Sequence, residues 1–336
     1  MSATGQMTGT VPNPAFDPYR ATARAQGTTA PQGRFMLITA PAKINLYLGV
    51  HEGTGEDGYH RVDTVMTTLD LTDTLAIAPS DRLMVKTVPE ADFPQESNTA
   101  YKAAVAMGKA FDREPNFAIL IDKHIPIRAG LGGPSTDAAA TIMGICRYWG
   151  VDPRDERIDA VARSIGADVP FFLYGPPAHL DGRGDRMSEL FRPLTGTPVA
   201  LVKPMTGGVS TVEAYRRFDE APVAASPLEP MLEAMRSHDE QAIFEHVSNN
   251  LAPIARELCP QIGEIVDWMR EQPDVRAVDV CGSGATVFAV CNTQMAAEKI
   301  GIAAMKEHGW WAQAAKMEKT GPIIAVARFS SEALIL

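Results

Sequence analysis

A glycine-rich loop between a strand pattern and a helix pattern is the feature that most constrains the fold of this chain. Residues 117–121 alternate between apolar and other side chains, which predicts a strand. Apolar residues then recur at helical spacing from position 138 to position 149, and Gly150 ends the pattern. The sequence therefore predicts a strand, a loop over residues 126–134, and a helix that begins at the end of the loop.

The amide groups at such a helix N-terminus attract an anion, because they lack intrahelical acceptors and the helix dipole is positive there. Gly130, Gly132 and Gly133 would let a phosphate touch the backbone. Ser135 or Thr136 can cap this helix, and Asp137 suits its positive end. An ordinary tight turn explains such a glycine pattern equally well. Because neither G-x-x-x-x-G-K-[ST] nor H-R-D with D-F-G occurs, the P-loop and protein-kinase classes are excluded.

Other candidate site residues are ambiguous when each is taken alone. Lys43 and Asn45 would share one face of a strand, either to hold a substrate oxygen or as a solvated polar face. Asp168 can cap the turn before Pro170. Tyr59 and His60 suit a planar base, or are ordinary strand residues. The residues Gly282-Ser-Gly284, here called the GSG turn, could approach a phosphate or only close a hairpin.

Composition limits the class of protein. The chain has 31 basic and 41 acidic residues and a formal charge of -10, which disfavours nucleic acid as a partner. Four separated cysteines predict neither disulfides nor a zinc site, which fits a cytoplasmic protein. Residues 1–35 predict a disordered extension without a secretory signal, and no apolar run is long enough to span a membrane.

The order of patterns predicts an α+β protein. A passage rich in Gly and Pro, residues 175–208, contains the best domain boundary, which we place near Arg192. Strands are predicted over residues 35–50, 59–78 and 117–121, in a hairpin over 275–290, and over 323–329. Helices are predicted over residues 98–111, 138–149, 155–165, 227–237, 240–249 and 261–272, and between the hairpin and the last strand.

Three segments in this order, PAKINLYLGV, IPIRAGLGGPSTDAAA and VCGSGATVFAV, resemble the signature motifs of the GHMP kinases, the superfamily of galactokinase, homoserine kinase, mevalonate kinase and phosphomevalonate kinase. DGYH at residues 57–60 and GADVPFF at residues 166–172 resemble one branch, the 4-diphosphocytidyl-2-C-methyl-D-erythritol kinases of the non-mevalonate isoprenoid pathway. The resemblance implies a two-domain GHMP kinase fold, with a ribosomal protein S5-like N-terminal domain over residues 36–191 and a ferredoxin-like α/β C-terminal domain over residues 192–336.

The resemblance also implies transfer of the γ-phosphoryl group of ATP to the 2-hydroxyl of the methylerythritol moiety. Asp168 would accept the hydroxyl proton, and Lys43 would stabilise negative charge. Asn45, Tyr59, His60, Thr211 and Tyr215 would hold the substrate, with the two tyrosine rings enclosing cytosine. ATP would bind Lys123 and the segment called here the glycine loop: Pro126, Ile127, Arg128, Ala129, Gly130, Leu131, Gly132, Gly133, Pro134, Ser135 and Thr136.

ATP implies Mg²⁺, for which no acidic ligand can be named; phosphate oxygens, water and Ser135 could suffice. Pro134 departs from the family's G-L-G-G-G-S-S loop, and proline is tolerated there if it lies in the first helical turn. Two alternatives stay open: a GHMP kinase of another specificity, and a nucleotide-binding protein without catalysis. A monomer or weak homodimer is expected, and the metal ligands are unknown.

Overall fold

The computed structural model describes residues 34–55 and 58–328. The first strand begins at Arg34, one residue before the predicted start. Most of the predicted N-terminal extension lies outside the described residues. Asp57 of the DGYH motif also lies outside them. The strands of the described residues are β1 (Arg34–Thr54), β2 (His60–Pro79), β3 (Met84–Val88), β4 (Phe117–Asp122), β5 (Ala178–Asp181), β6 (Arg186–Leu190), β7 (Pro198–Lys203), β8 (Ser248–Asn249), β9 (Val275–Val280), β10 (Val287–Cys291), β11 (Trp311–Glu318) and β12 (Ile323–Arg328).

The segments that connect these strands form helices, which pack against the sheet. A short 3₁₀ turn, Gln95–Ser97, precedes the first of them. The α-helices are α1 (Thr99–Phe111), α2 (Gly133–Trp149), α3 (Glu156–Ile165), α4 (Val169–Tyr174), α5 (Thr211–Glu220), α6 (Glu229–Ser237), α7 (Glu240–Glu245), α8 (Ala252–Leu258), α9 (Pro260–Arg270) and α10 (Gln294–His308).

The backbone of the fold is one continuous sheet, in the order β12-β1-β2-β11-β7-β10-β9. Strand β11 pairs antiparallel with β2 at one end and with β7 along its length, so it joins the N-terminal and C-terminal strands. The long pair of β1 and β2 shifts register between Pro41 and Lys43, because proline has no amide hydrogen to donate to the ladder. Mixed helices and antiparallel strands confirm the α+β class.

Three apolar cores hold the helices to this sheet. Helices α1 to α4 cover a core that contains Ile38, Ile77 and Phe171, while α5 and α8 to α10 cover a second one around Val202 and Ile265. Helix α2 packs closely because Gly144 has no side chain to separate the helix from the sheet. The third core lies under α6 and α7, and the glycine loop contributes Ala129 and Leu131 to it.

Several predicted elements are confirmed, and others were missed. The helix over 98–111, the strand–loop–helix unit and the hairpin over 275–290 are present. The elements without a prediction are β3, β5, β6, β7, β8, β11, α4, α5 and α8. The helix predicted over 240–249 ends at Glu245, because Asn249 and Asn250 bond to backbone groups of neighbouring strands. The predicted closing strand is present, but its last residue, Phe329, lies outside the described residues.

The short helix α4 ends in a glycine that the fold requires. Gly175 has a φ of 85°, and a Cβ there would overlap the amide nitrogen of Gly321 and lie 2.9 Å from its Cα. Backbone cannot retreat as a flexible side chain can. The contact therefore fixes the end of α4 against the segment that leads into β12.

We predict that Gly175→Ala lowers the free energy of unfolding by about 2 kcal/mol or more, since backbone strain and overlap add. Gly196→Ala is the matched control, because Gly196 has a φ of 88° but nothing within 4 Å of the added methyl group. Urea unfolding of both variants measures the difference. Equal losses at the two positions would contradict the importance of the Gly321 contact.

Candidate active site

The glycine loop leads from β4 to the N-terminus of α2. Gly130 and Gly132 have positive φ values of 74° and 76°, and Gly132 is the residue at which the helix is capped. The amide groups of Ser135 and Thr136 both bond to the Gly132 carbonyl oxygen, at 3.0 and 2.9 Å. The prediction that Ser135 or Thr136 caps the helix through its side chain is wrong, because the cap makes no side-chain hydrogen bond.

Pro134 lies in the first turn of α2, where an amide hydrogen has no intrahelical acceptor. Its carbonyl oxygen accepts a hydrogen bond of 2.6 Å from the Thr99 hydroxyl at the start of α1. The substitution of glycine by proline therefore removes no hydrogen bond from the helix ladder. Pro134 thus meets the condition under which the sequence analysis expects proline to be tolerated.

The GSG turn closes directly against the glycine loop. A Cβ on Gly130 would overlap the carbonyl oxygen of Cys281 and lie 2.9 Å from its carbonyl carbon. The Thr286 amide also donates to the Ala129 carbonyl oxygen, and the Lys43 amide donates to the Leu131 carbonyl oxygen at 2.9 Å. The three signature segments thus meet at one place.

Lys43 lies at this meeting point and is only 3% exposed. Its Nζ donates to Asn45 Oδ1 at 2.8 Å and lies 3.4 Å from Asp168 Oδ2. Asn45 Oδ1 also accepts from the Gly282 amide, and its Nδ2 donates to Thr64. The alternative of a solvated polar face is wrong, since Lys43 and Asn45 are both buried.

Asp168 stands immediately before α4, with about a third of its side chain exposed. It makes no capping hydrogen bond, so the alternative role as a turn cap is wrong. Its carboxylate faces Lys43 and borders on the glycine loop, because Gly132 packs against the Lys43 side chain and Phe172 of α4. A partly exposed carboxylate next to a buried ammonium is an arrangement suited to accepting a proton from a bound hydroxyl group.

The other predicted substrate residues gather around His60. Tyr215 lies on α5, and its ring centroid is 5.3 Å from that of buried His60. Burial, with a smaller effect of the Asp168 charge, raises the pKa of Tyr215 to about 12, so that it stays a neutral aromatic donor. Thr211, at the start of the same helix, is 3.0 Å from the Ser283 hydroxyl of the GSG turn.

Tyr59 is 57% exposed and lies beyond His60, under the guanidinium of Arg183, which is 4.7 Å from the ring centroid. A cavity of about 500 Å³ adjoins both residues. Its lining includes four arginines: Arg61, Arg163, Arg183 and Arg186. Three of these arginines form ion pairs, Arg163 with Asp159, Arg183 with Asp185 and Arg186 with Asp181, so the cavity is lined mainly by paired charges.

Lys123 is largely, but not fully, buried in a cluster of carboxyl groups that the sequence did not predict. Its Nζ bonds to Asp73 Oδ2 and, at 2.6 Å, to Asp137 Oδ2. Asp73 Oδ1 in turn accepts from the amides of His124 and Ile125, at 2.6 and 2.8 Å. This cluster, Lys123 with Asp73 and Asp137, joins β2, the start of the glycine loop and α2. No motif marked Asp73, because its role depends on tertiary packing.

Comparison with known proteins fits this geometry. The sequence matches the GHMP kinases N terminal domain over residues 98–176 and the GHMP kinases C terminal domain over residues 231–309. A 4-diphosphocytidyl-2-C-methyl-D-erythritol kinase of Bacillus pumilus is 35% identical over 267 residues, which cover 79% of this chain and 91% of that protein. One from Listeria monocytogenes is 37% identical, covering 78% and 89%. The chain belongs to the 4-diphosphocytidyl-2-C-methyl-D-erythritol kinase family.

Solved structures agree with this family. A crystal structure of a 4-(cytidine 5'-diphospho)-2C-methyl-D-erythritol kinase superposes with a TM-score of 0.68 at 31% identity, covering 84% of this chain and 98% of that one. A homoserine kinase from Cytophaga hutchinsonii has a TM-score of 0.71 at 17% identity, with 89% and 100% covered, which is a likeness of fold. The predicted two-domain GHMP kinase fold and the small-molecule kinase class are confirmed. Within the part of the chain that the structure describes, no helix is long and apolar enough to cross a membrane.

The cluster around Lys123 gives a pH dependence of folding. Burial raises the pKa of Asp137 to about 7, although Lys123 opposes the shift. The folded protein therefore binds this proton more tightly than the unfolded chain does. The stability from this group is complete below the carboxyl group's ordinary pKa and is lost as the pH rises through about 7.

We predict that Asp137→Asn flattens the fall in thermal stability between about pH 4 and pH 7, because the amide carries no titrating proton. A tenfold change in proton affinity is worth about 1.4 kcal/mol, so the effect is measurable. Calorimetric melting temperatures of both proteins across this range provide the test. Parallel pH profiles for the variant and the wild type would contradict the assignment.

Proposed function

We propose that this protein transfers the γ-phosphoryl group of ATP to the 2-hydroxyl of 4-diphosphocytidyl-2-C-methyl-D-erythritol, giving the 2-phosphate and ADP in the methylerythritol phosphate pathway. The observation that carries the proposal is the Lys43–Asp168 pair, 3.4 Å apart, next to the glycine loop. The names of the relatives support the substrate. A small-molecule kinase needs this combination of an anion site and a proton acceptor.

In this proposal Asp168 accepts the proton of the attacking hydroxyl. The neighbouring Lys43 ammonium keeps the carboxylate ionised and stabilises charge that develops on the transferred group. A general base contributes about a hundred- to ten-thousand-fold to the rate, while phosphoryl transfer depends mostly on positioning and charge. The glycine loop and Lys43 should therefore matter as much as Asp168.

ATP is proposed to place its phosphates along the glycine loop, against the N-terminus of α2. The adenine ring is proposed to occupy a second cavity, of about 730 Å³, beside β3 and β4. One of its lining residues, Asn98, precedes Thr99, whose hydroxyl bonds to Pro134 of the glycine loop. Apolar side chains such as Val85, Val88 and Leu120 line this cavity, and Asn98 adds a polar group. Lys123 connects the two regions, since its amide bonds to the Val88 carbonyl oxygen at 2.8 Å. The side chain of Lys123 would act through its two carboxylate partners.

Mg²⁺ is proposed to accompany ATP, where it neutralises phosphate charge. Among residues 34–55 and 58–328 no group of three His, Cys, Asp or Glu side chains could hold a metal ion. The half-buried Ser135 hydroxyl at the start of α2 fits an ion that is otherwise bound by phosphate oxygens and water. The residues thus suit a metal that arrives with the nucleotide.

At the substrate end, Tyr59 and Tyr215 are proposed to enclose cytosine and His60 to contact its polar edge. Thr211 and Asn45 would hold the rest of the molecule close to Lys43. This arrangement favours a cytidine-bearing substrate over that of a mevalonate- or homoserine-type kinase, since neither of those substrates contains a base. The burial of Lys43 beside Asp168 favours catalysis over a purely nucleotide-binding role.

The remaining features are proposals of the same kind. We infer a domain boundary near Arg192, between residues 36–191 and 192–336, which agrees with the separate N-terminal and C-terminal family matches on either side of it. The active site then lies between the domains. A cytoplasmic monomer or weak homodimer fits the chain's composition, and residues 1–35 remain a predicted extension.

The decisive experiment incubates the protein with ATP, Mg²⁺ and the cytidyl substrate and follows ADP and the phosphorylated product by mass spectrometry. We expect one phosphate on the substrate for each ADP. Turnover of mevalonate or homoserine instead would reverse the assignment, and ATP binding without any turnover would support the non-catalytic alternative.

We predict that Asp168→Asn lowers kcat at least about a hundredfold, the contribution of a general base, and leaves ATP affinity nearly unchanged. Asp152→Asn is the control, because Asp152 pairs only with exposed Arg154 on the surface among the contacts described. Steady-state rates and calorimetric ATP titrations separate the two effects. If binding and rate fell together, Asp168 would be a structural residue.

A further inference from the structure

His60 has only one ring nitrogen that can serve a ligand. Its Nδ1 lies 3.0 Å from the carbonyl oxygen of His51. A carbonyl oxygen can only accept, so Nδ1 carries a hydrogen and donates it. The other nitrogen, Nε2, lies 3.0 Å from Oδ1 of Asp219. Whatever contacts the free edge of His60 must therefore also meet the Asp219 carboxylate.

Asp219 belongs to the helix face that carries the proposed substrate residues. Thr211, Tyr215 and Asp219 follow one another at intervals of four along α5, which places them on one side of the helix. Phe218, the preceding residue, is buried edge-on against the His60 ring, with centroids 5.6 Å apart, and fixes the helix there. The Asp219 side chain is 54% exposed, so a ligand can reach it.

The other charged residues of α5 are engaged elsewhere. Glu213 and Glu220 pair with Arg216 and Arg217, and Arg217 also pairs with Glu257 of α8. Among the described residues the ion pairs of this helix thus leave His60 as the partner of Asp219. A carboxylate that is held by an imidazole, with half of its surface open, keeps lone pairs available for an incoming donor.

We propose that Asp219 is a specificity-determining residue, which accepts a hydrogen bond from the exocyclic amine of cytosine and rejects the corresponding oxygen of uracil. The inference rests on the proposed function, since it concerns the base of that substrate. Cytosine presents an amine donor where uracil presents a carbonyl acceptor. A carboxylate has no hydrogen to offer, so a uracil oxygen beside it would be repelled and left without a partner.

The contact between His60 and Asp219 places a hydrogen on Nε2, because two acceptors 3.0 Å apart would repel each other. Nε2 donates this hydrogen to Asp219, and the carboxylate keeps other lone pairs for the cytosine amine. When the base is bound, Nε2 can instead donate to the adjacent ring nitrogen N3 while Asp219 accepts from the amine. Uracil carries a hydrogen on N3 and an oxygen at the next position, and therefore mismatches both groups.

The test compares kcat/KM for the cytidyl substrate with that for its uridyl counterpart, in the wild type and in Asp219→Asn. Asparagine has the same shape but can donate as well as accept, so the variant tolerates the uracil oxygen. We expect the preference for cytidine to fall at least about tenfold, through slower use of the cytidyl compound and faster use of the uridyl one. Glu220→Gln, the adjacent residue on α5, is the control and should keep the wild-type ratio.

A second variant, Asp219→Ala, removes the acceptor without adding a donor and should also reduce the preference. Calorimetric titration with CDP and UDP measures the same discrimination without turnover. If Asp219 only oriented His60, kcat/KM would fall equally for the cytidyl and uridyl substrates. An unchanged ratio of the two kcat/KM values would therefore overturn the inference. A wild-type enzyme that used neither substrate would instead overturn the proposed function and this inference with it.

Discussion

The buried ammonium of Lys43 is the interaction on which the rest of the site depends. A charge taken out of water is strongly destabilising unless partners surround it. Asn45 supplies one partner from the same strand, and Asp168 supplies a counter-charge from the start of α4. The Lys43 amide binds the glycine loop as well. One residue therefore ties together three segments that are far apart in the sequence.

A second lysine has a different purpose. Lys123 lies between the carboxyl groups of Asp73 and Asp137, and Asp73 also accepts from the amides at the entrance to the glycine loop. Such a cluster positions backbone through side chains on β2 and α2. Lys43 contacts the partly exposed Asp168, whereas Lys123 stabilises the start of the glycine loop. Lys43 therefore supplies charge at the site, and Lys123 helps to fix the conformation of the loop.

Local patterns predicted the parts of the fold that short-range forces determine. Alternation placed Lys43 and Asn45 on one face of β1, and helical spacing placed α2 after the glycine loop. Strand β11 escaped prediction, because its alanines and charged residues have little strand preference and pairing with β7 decides its conformation. Asp73, the partner of Lys123, and Asp219, the partner of His60, were not predicted for a related reason. Each is an ordinary acidic residue until the fold places Lys123 or His60 beside it.

The close contact between the glycine loop and the GSG turn also limits how this chain can diverge. Gly130 has no room for any side chain beside Cys281, so that position cannot vary while the hairpin stays in place. Ile127 and Arg128, by contrast, are exposed on the same loop. Sequence change within the loop is therefore confined to its outer edge. Compounds meant to distinguish this kinase from others of its fold would have to reach that outer edge rather than the glycines of the loop.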